Sequence, residues 1–321
     1  MLESTGLFLL GLLLLALGGD SIVKGASGLA QRLGASPFVA GLLLVAFGTS
    51  LPELAVNARA VWAGVPDLAL GNAVGSNVVN VGLTLGAAAL AAPLVVRWRA
   101  LSPLLVMLIV ATVGVIALGW DGTLSRLDGF VLLAAFVAVL AFALSRSGRE
   151  QPEVRAAIDG YAQTQTGLGL NLVRFAIAIA LLYFGARFVV GSAPAWGTAL
   201  GMEPLLAGLL VVAIGTALPE VAAAVAAARR GQGDMVAGHV IGSSLFNLLV
   251  IVGGMAVFGR SGAGELALPA SFVRFELPAA LAFALMLVPV LRGDFHVSRR
   301  EGGILMTAFV AWVAFELFLM R

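Results

Sequence analysis

Long apolar runs recur along the whole chain and restrict the folds open to it. Each is close to the roughly 20 residues that cross the hydrocarbon core of a bilayer as a helix. Only 11% of the residues are charged, against roughly 25% in soluble domains, and the short alternating segments of a membrane β-barrel are not seen. The pattern predicts an all-α polytopic membrane protein with ten transmembrane helices, near residues 5–30, 38–62, 69–91, 101–119, 127–145, 171–192, 204–228, 236–258, 271–291 and 302–320.

The two halves of the chain are copies of each other, related by a shift of 167 positions. Between residues 40 and 53, eleven of fourteen positions are identical to those of residues 207–220. Each copy contains five predicted spans, so the second copy must cross the membrane in the opposite sense, as in secondary transporters with inverted repeats. We expect a first five-helix repeat at 1–145, a linker at 146–168 and a second, inverted repeat at 169–321.

The basic residues predict the orientation of this bundle. Of the 19 lysines and arginines, 13 fall on the side of the linker and 6 on the other side. Because positively charged loops stay in the cytoplasm, the linker is expected to be cytoplasmic and both termini outside. The predicted location is the cell inner (plasma) membrane, crossed many times.

Polar residues at bilayer depth form two clusters in each copy. Residues four apart share a helix face, and the clusters pair Thr49 with Glu53 and Ser76 with Asn80, then Thr216 with Glu220 and Ser243 with Asn247. Any one hydroxyl or amide here could simply bond its own backbone or a neighbouring helix. The two glutamates are different, since a charged carboxylate at this depth costs a few kcal/mol. One divalent cation or two monovalent ones would neutralise both, and oxygen ligands in a flexible cage suit Ca²⁺ and Na⁺ better than Mg²⁺.

A proline precedes each glutamate, at Pro52 and Pro219. Proline has no N–H to donate to the carbonyl four residues earlier. Each helix is therefore expected to break or kink there and to free carbonyl oxygens for a cation.

The motifs "GTSLPEL" and "GNAVGSNVVNVG", with "GTALPEV" and "GHVIGSSLFN", resemble the two α-repeats of the cation/calcium antiporter superfamily, particularly prokaryotic sodium/calcium exchangers. The resemblance implies alternating access by sliding of spans 1 and 6, with Glu53 and Glu220 as the principal Ca²⁺ ligands beside backbone oxygens of Thr49 and Thr216. It also implies Na⁺ sites and a central lining built from Ala46, Ala213, Thr49, Ser50, Thr216, Ser76, Ser243, Asn80 and Asn247.

Two positions depart from that pattern. Ala217 replaces the serine of the second repeat, and Asn247 stands where prokaryotic exchangers can carry aspartate. The leading hypothesis is exchange of Ca²⁺ for Na⁺, and exchange of Ca²⁺ for H⁺ by the same fold is the alternative. A channel would bind ions too tightly between two carboxylates to conduct quickly.

An intramembrane hydrolase is the distant alternative. Its buried nucleophilic serine would need a base beside it. His239 is the one candidate base, and its place near a span start predicts an interfacial residue instead. We expect a transporter and no enzyme, no cofactor other than the transported ions, and the lipid bilayer as its surroundings. No obligate protein partner is evident, and the absence of basic clusters with interleaved aromatics gives no sign of nucleic-acid binding.

Overall fold

The computed structural model describes residues 2–32, 50–96, 98–146, 167–259, 265–292 and 296–319, and these are almost entirely helical. Among the described residues, nine helices are long and apolar enough to cross a membrane. The second predicted span, 38–62, is described only from residue 50 onward. The described part therefore supports a multi-pass helical protein. Ala46 and Thr49, together with most of the linker, lie outside it.

The helices follow the chain in the order of the predicted spans. Several contain a π-helical turn, in which the backbone hydrogen bond spans five residues instead of four. The helices are α1 (Leu2–Arg32), α2 (Leu51–Trp62), α3 (Pro66–Ala91), α4 (Trp98–Leu118), α5 (Arg126–Arg146), α6 (Leu168–Leu200), α7 (Pro204–Arg229), α8 (Gly233–Phe258), α9 (Phe272–Arg292) and α10 (Arg299–Leu319). Four two-residue strands lie between them: β1 (Leu94–Val95), β2 (Thr123–Leu124), β3 (Leu266–Ala267) and β4 (His296–Val297).

The sequence repeat is also a repeat of helix geometry. In α3 an α-helical part, Pro66–Val79, is followed by a π-helical part, Asn80–Leu85. In α8 the corresponding parts are Gly233–Phe246 and Asn247–Val252. Each boundary recurs 167 residues later. Asn80 and Asn247 therefore both stand at the first position of a widened turn, a feature common at functional sites.

Helices α3 and α8 form the centre of the bundle. In each of them, 83% of the most apolar stretch of 18 residues is buried, against 28% in α1. Glycine permits the close approach of α3 to α7, because a Cβ on Gly71 would lie 2.0 Å from the Leu205 carbonyl oxygen and one on Gly75 would lie 2.5 Å from that of Leu209. These two glycines therefore serve helix packing.

The short strands tie together loops that are distant in sequence. β1 pairs antiparallel with β4, so the loop after α3 meets the loop after α9. β2 pairs in the same way with β3, so the loop after α4 meets the loop after α8. Because α4 alone separates β1 from β2, the two pairs lie at opposite ends of the bundle.

Pro219 does not break its helix, so the prediction of a break there is wrong. The α-helical part Ala213–Arg229 runs continuously through the proline, and the irregular turn lies earlier, at the π-helical segment Ala207–Val212. Pro52 sits in the first turn of α2, where its missing N–H has no helical partner to lose.

Candidate functional site

Four helices bring the predicted residues together in the middle of the bundle. Glu53 comes from α2 and is 2% exposed, whereas Glu220 comes from α7 with a side chain that is 9% exposed. Their carboxylates are close enough to repel each other, and the Thr216 hydroxyl lies beside the Glu53 carboxylate. The two glutamates singled out in the sequence therefore lie near each other, in a site that protein surrounds almost completely.

A chain of hydrogen bonds crosses the site between the two repeats. The hydroxyl oxygens of Ser50 and Ser243 are 2.8 Å apart. The Asn80 amide nitrogen donates to the same Ser243 oxygen at 3.3 Å. Residues from α2, α3 and α8 are thus joined through one hydroxyl, and the contact confirms that Ser50, Ser243 and Asn80 are neighbours.

Asn77 and Ser244 contact each other where the two repeats meet, and they were not identified from the sequence. The Asn77 amide donates to the Ser244 carbonyl oxygen at 3.2 Å, and these two residues are separated by 167 positions. The Asn247 amide donates in turn to the Asn77 side-chain oxygen at 3.1 Å. Equivalent positions that touch each other must lie beside the axis relating the two copies. The available signal was that both are polar and follow the repeated serines, Ser76 and Ser243.

The amides of Asn80 and Asn247 donate through their nitrogens, and their oxygens are left unpaired. Buried polar atoms in proteins almost always have a hydrogen-bond partner, so a group of exceptions indicates that something else fills the role. Among the described residues, six buried oxygens of this site have no hydrogen-bond partner: Glu53 Oε2, Glu220 Oε1, Ser76 Oγ, Asn80 Oδ1, Ser244 Oγ and Asn247 Oδ1. A cation is the ligand that such a set can bind.

The other predicted residues are placed as follows. Ala213 is buried, and its carbonyl oxygen accepts a hydrogen bond from the Thr216 hydroxyl at 3.3 Å. Ala217 is 1% exposed, and its position is the repeat equivalent of Ser50. Ser50 contacts Ser243, whereas Ser76, the equivalent of Ser243, has no hydrogen-bond partner. Ser76 lacks both contacts that Ser243 makes, because Ala217 has no hydroxyl and the Asn247 amide donates to Asn77 instead.

His239 lies beside the site, and its contact with Glu220 was not predicted from the sequence. Its side chain is 11% exposed, and its Nε2 lies 3.6 Å from Glu220 Oε2. It stands on α8 one helical turn before Ser243, on the face that looks towards α7.

A second pair of buried carboxylates lies outside this site. Glu276 on α9 and Glu316 on α10 are 1% and 2% exposed and interact electrostatically. Both oxygens of Glu276 and Oε1 of Glu316 have no partner within hydrogen-bond distance. Nothing in the repeat predicts them, since neither has an acidic equivalent in the first copy.

The fold and the site define a multi-pass helical membrane protein with a buried, oxygen-rich site at the centre of a duplicated bundle. The sequence profile described as sodium/calcium exchanger protein matches residues 3–145 and 170–318. The chain belongs to this family of cation/calcium antiporters.

Relatives of the chain match along nearly its full length. It is 33% identical over 318 residues to the inner membrane protein YrbG of Escherichia coli strain K12, covering 98% of this chain and 97% of that protein. It is 28% identical to the sodium/calcium exchanger MaX1 of Methanosarcina acetivorans, covering 96% of each. The structure of the sodium-calcium exchanger NCX_Mj soaked with 2.5 mM Na⁺ and 10 mM Sr²⁺ matches with a TM-score of 0.67, at 28% identity and 98% coverage of both chains. The relatives named as exchangers are transporters.

Proposed function

We propose that this protein exchanges Ca²⁺ for Na⁺ across the membrane by alternating access. Glu53 and Glu220 are the Ca²⁺ ligands in this proposal, together with backbone oxygens of Thr49 and Thr216. The residues proposed to bind Na⁺ or to line the centre are Ala46, Ala213, Ser50, Ser76, Ser243, Asn80 and Asn247.

The observation that carries the proposal is the set of unpaired oxygens around the two carboxylates. Two carboxylates in a low-dielectric interior repel each other and each has lost its hydration. One Ca²⁺ balances both charges, and it accepts six to eight oxygen ligands at irregular angles. Amide and hydroxyl oxygens supply the remaining contacts without adding charge. Mg²⁺ would have to give up waters that it holds tightly.

Na⁺ suits the same oxygens because its charge and radius allow two ions to replace one Ca²⁺. Competition between the ions for Glu53 and Glu220 then couples their movements, since the site cannot be filled by both at once. MaX1 and NCX_Mj are both named as sodium/calcium exchangers, which supports Na⁺ as the driving ion here.

We further propose a bundle of ten spans in two inverted repeats, with both termini outside. The strand pairs support it. Six spans separate β1 from β4 and four separate β2 from β3, and an even number returns the chain to the same side, as pairing requires. In this orientation β1 and β4 are cytoplasmic and β2 and β3 are outside.

Helices α1 and α6 are proposed to slide together across the rest of the bundle. They pack mainly against each other. A Cβ built on Gly11 would lie 2.9 Å from the Gly185 carbonyl oxygen, and one built on Gly185 would lie 2.9 Å from that of Gly11. Such close backbone contact favours movement of the pair as one unit.

The orientation can be tested by single cysteines, because the natural chain contains none. A cysteine at the exposed Arg230, between α7 and α8, should react with a membrane-impermeant thiol reagent only from the cytoplasm. A cysteine at the exposed Asp121, between α4 and β2, should react only from outside. The reverse pattern would show that the protein has the opposite orientation.

The driving ion is tested with purified protein in sealed vesicles. Uptake of ⁴⁵Ca²⁺ should follow an outward Na⁺ gradient at fixed pH, and a pH gradient without Na⁺ should drive none. Uptake driven by the pH gradient alone would establish Ca²⁺/H⁺ exchange instead. Ca²⁺ uptake that depends on neither the Na⁺ gradient nor the pH gradient would reject antiport.

A further inference from the structure

The two repeats differ in the polar contact made by one position of α3 and its equivalent in α8. In the first repeat, the Asn72 amide donates to the Asn57 side-chain oxygen at 3.1 Å. In the second repeat the equivalent positions hold His239 and Ala224. Ala224 offers no polar side chain, and the longer His239 side chain reaches Glu220 instead. The histidine and its approach to the carboxylate are thus unique to one half of the site.

The separation of His239 Nε2 and Glu220 Oε2, 3.6 Å, exceeds a normal hydrogen bond between nitrogen and oxygen, which is about 2.7–3.2 Å. The distance fits an ion pair when the imidazole is protonated, and it also fits two ligands of one metal ion when the imidazole is neutral. Two ligands that each lie about 2.1 Å from one zinc ion, at an angle of about 110–120°, are about 3.4–3.6 Å apart. The pair therefore has the spacing of two ligands of one transition-metal ion.

The chemistry of the donors agrees with the spacing. Imidazole nitrogen binds Zn²⁺, Cu²⁺ and Ni²⁺ well, whereas Ca²⁺ takes oxygen ligands. Only Oε2 of Glu220 faces His239, and Oε1 is one of the unpaired oxygens of the central site. One carboxylate therefore faces two places with different ligand preferences.

We propose that His239 and Glu220 form a binding site for a transition-metal ion of the Zn²⁺ type, which competes with Ca²⁺ for Glu220. The proposal rests on the proposed function in that Glu220 is taken to bind Ca²⁺. Its consequence is that Zn²⁺ inhibits transport through one half of the site only, because Asn72 gives the other half no nitrogen ligand of this kind.

The chain is well suited to a spectroscopic test, since it contains two histidines and no cysteine. The protein is purified without a histidine tag, loaded with one equivalent of Cu²⁺ alone, and examined by pulsed electron paramagnetic resonance for imidazole nitrogen. The signal should be present in the natural protein and lost in His239→Asn. The matched control is His296→Gln, because His296 is exposed on β4 at one end of the bundle, and it should retain the signal.

Transport gives a second readout. The ratio of the Zn²⁺ inhibition constant to the Ca²⁺ KM should rise at least about tenfold in His239→Asn, a typical loss for disturbing a metal site. His239→Gln serves the same purpose if the asparagine variant does not fold, which gel filtration in detergent reports. An imidazole signal that persists in the variant, or an unchanged ratio, would overturn the proposal. Since Cu²⁺ binding is measured without transport, failure of antiport by the natural protein would be recognised separately.

Discussion

The substitution of Ala217 by serine should strengthen Na⁺ binding, because it restores the hydroxyl that the second repeat lacks. Ser50 shows what that hydroxyl does in the first repeat, where it lies 2.8 Å from the Ser243 oxygen in a fully buried position. Ser76 is the equivalent of Ser243 and has no hydrogen-bond partner. Ala217→Ser should supply that partner and one more oxygen ligand, whereas Ser50→Ala should remove the corresponding contact from the other half.

The magnitude follows from the single contact involved. A buried hydrogen bond between neutral groups contributes about 1 kcal/mol, which corresponds to about fivefold in a binding constant. The Ser243 oxygen keeps its hydrogen bond from Asn80 when Ser50 is shortened, so the loss should not exceed that value. We expect the Na⁺ concentration that halves Ca²⁺ uptake to fall about fivefold in Ala217→Ser and to rise about fivefold in Ser50→Ala.

The assay is ⁴⁵Ca²⁺ uptake into vesicles at fixed pH, with external Na⁺ varied for each variant. Combining both substitutions moves the hydroxyl from one repeat to the other and should return the inhibitory Na⁺ concentration close to that of the natural protein. If neither single substitution shifts it by more than twofold, the hydroxyls do not bind Na⁺. Strong pH dependence in the same variants would then favour Ca²⁺/H⁺ exchange.

Three other predictions follow from contacts in the structure. Glu53→Gln and Glu220→Gln should each abolish Ca²⁺ uptake while the protein remains monodisperse, since both charges are needed to balance one divalent ion; near-normal uptake by either would reject the assignment. Gly75→Ala should destabilise the fold by about 1–3 kcal/mol through overpacking, because the new Cβ would lie 2.5 Å from a carbonyl oxygen of α7. Gly114→Ala, with no atom within 4 Å of the new Cβ, should be neutral or slightly stabilising. Equal melting temperatures of the two variants would refute the packing argument. Glu316→Gln should raise the melting temperature by a few degrees, because it removes one of two buried carboxylates that repel each other and adds an amide donor; a clear decrease would indicate that the carboxylate is needed.

Much of the site was predictable because most of its residues occur in both repeats. Duplication at a fixed shift singles out polar residues that a single occurrence would leave ambiguous, and it identified Glu53 and Glu220 together with Ser243 and Asn80. Helix periodicity then placed each pair on one face. The π-helical turns of α3 and α8 both begin at the repeated asparagine, although the five residues that follow differ between the two copies.

The errors concern what depends on neighbours. Pro219 was expected to break or kink its helix, but the segment is helical through the proline and the irregular turn lies before it. The contact of His239 with Glu220 was not predicted, because only the juxtaposition of α7 and α8 brings the two side chains together. The contact of Asn77 with Ser244 was missed, because a contact between equivalent residues exists only after the two repeats have docked.

The sequence by itself determined the membrane helices, the duplication and the two carboxylates, because these depend on hydropathy, length and charge, which are local properties of the chain. The tertiary structure decided which oxygens are left unpaired, which of the two glutamates meets a histidine, and where Glu276 and Glu316 come together. Those outcomes depend on distances between helices that are far apart in sequence. A repeat can specify that both copies fold alike, but the effect of the residues that differ between the copies depends on the contacts that the two copies make with each other.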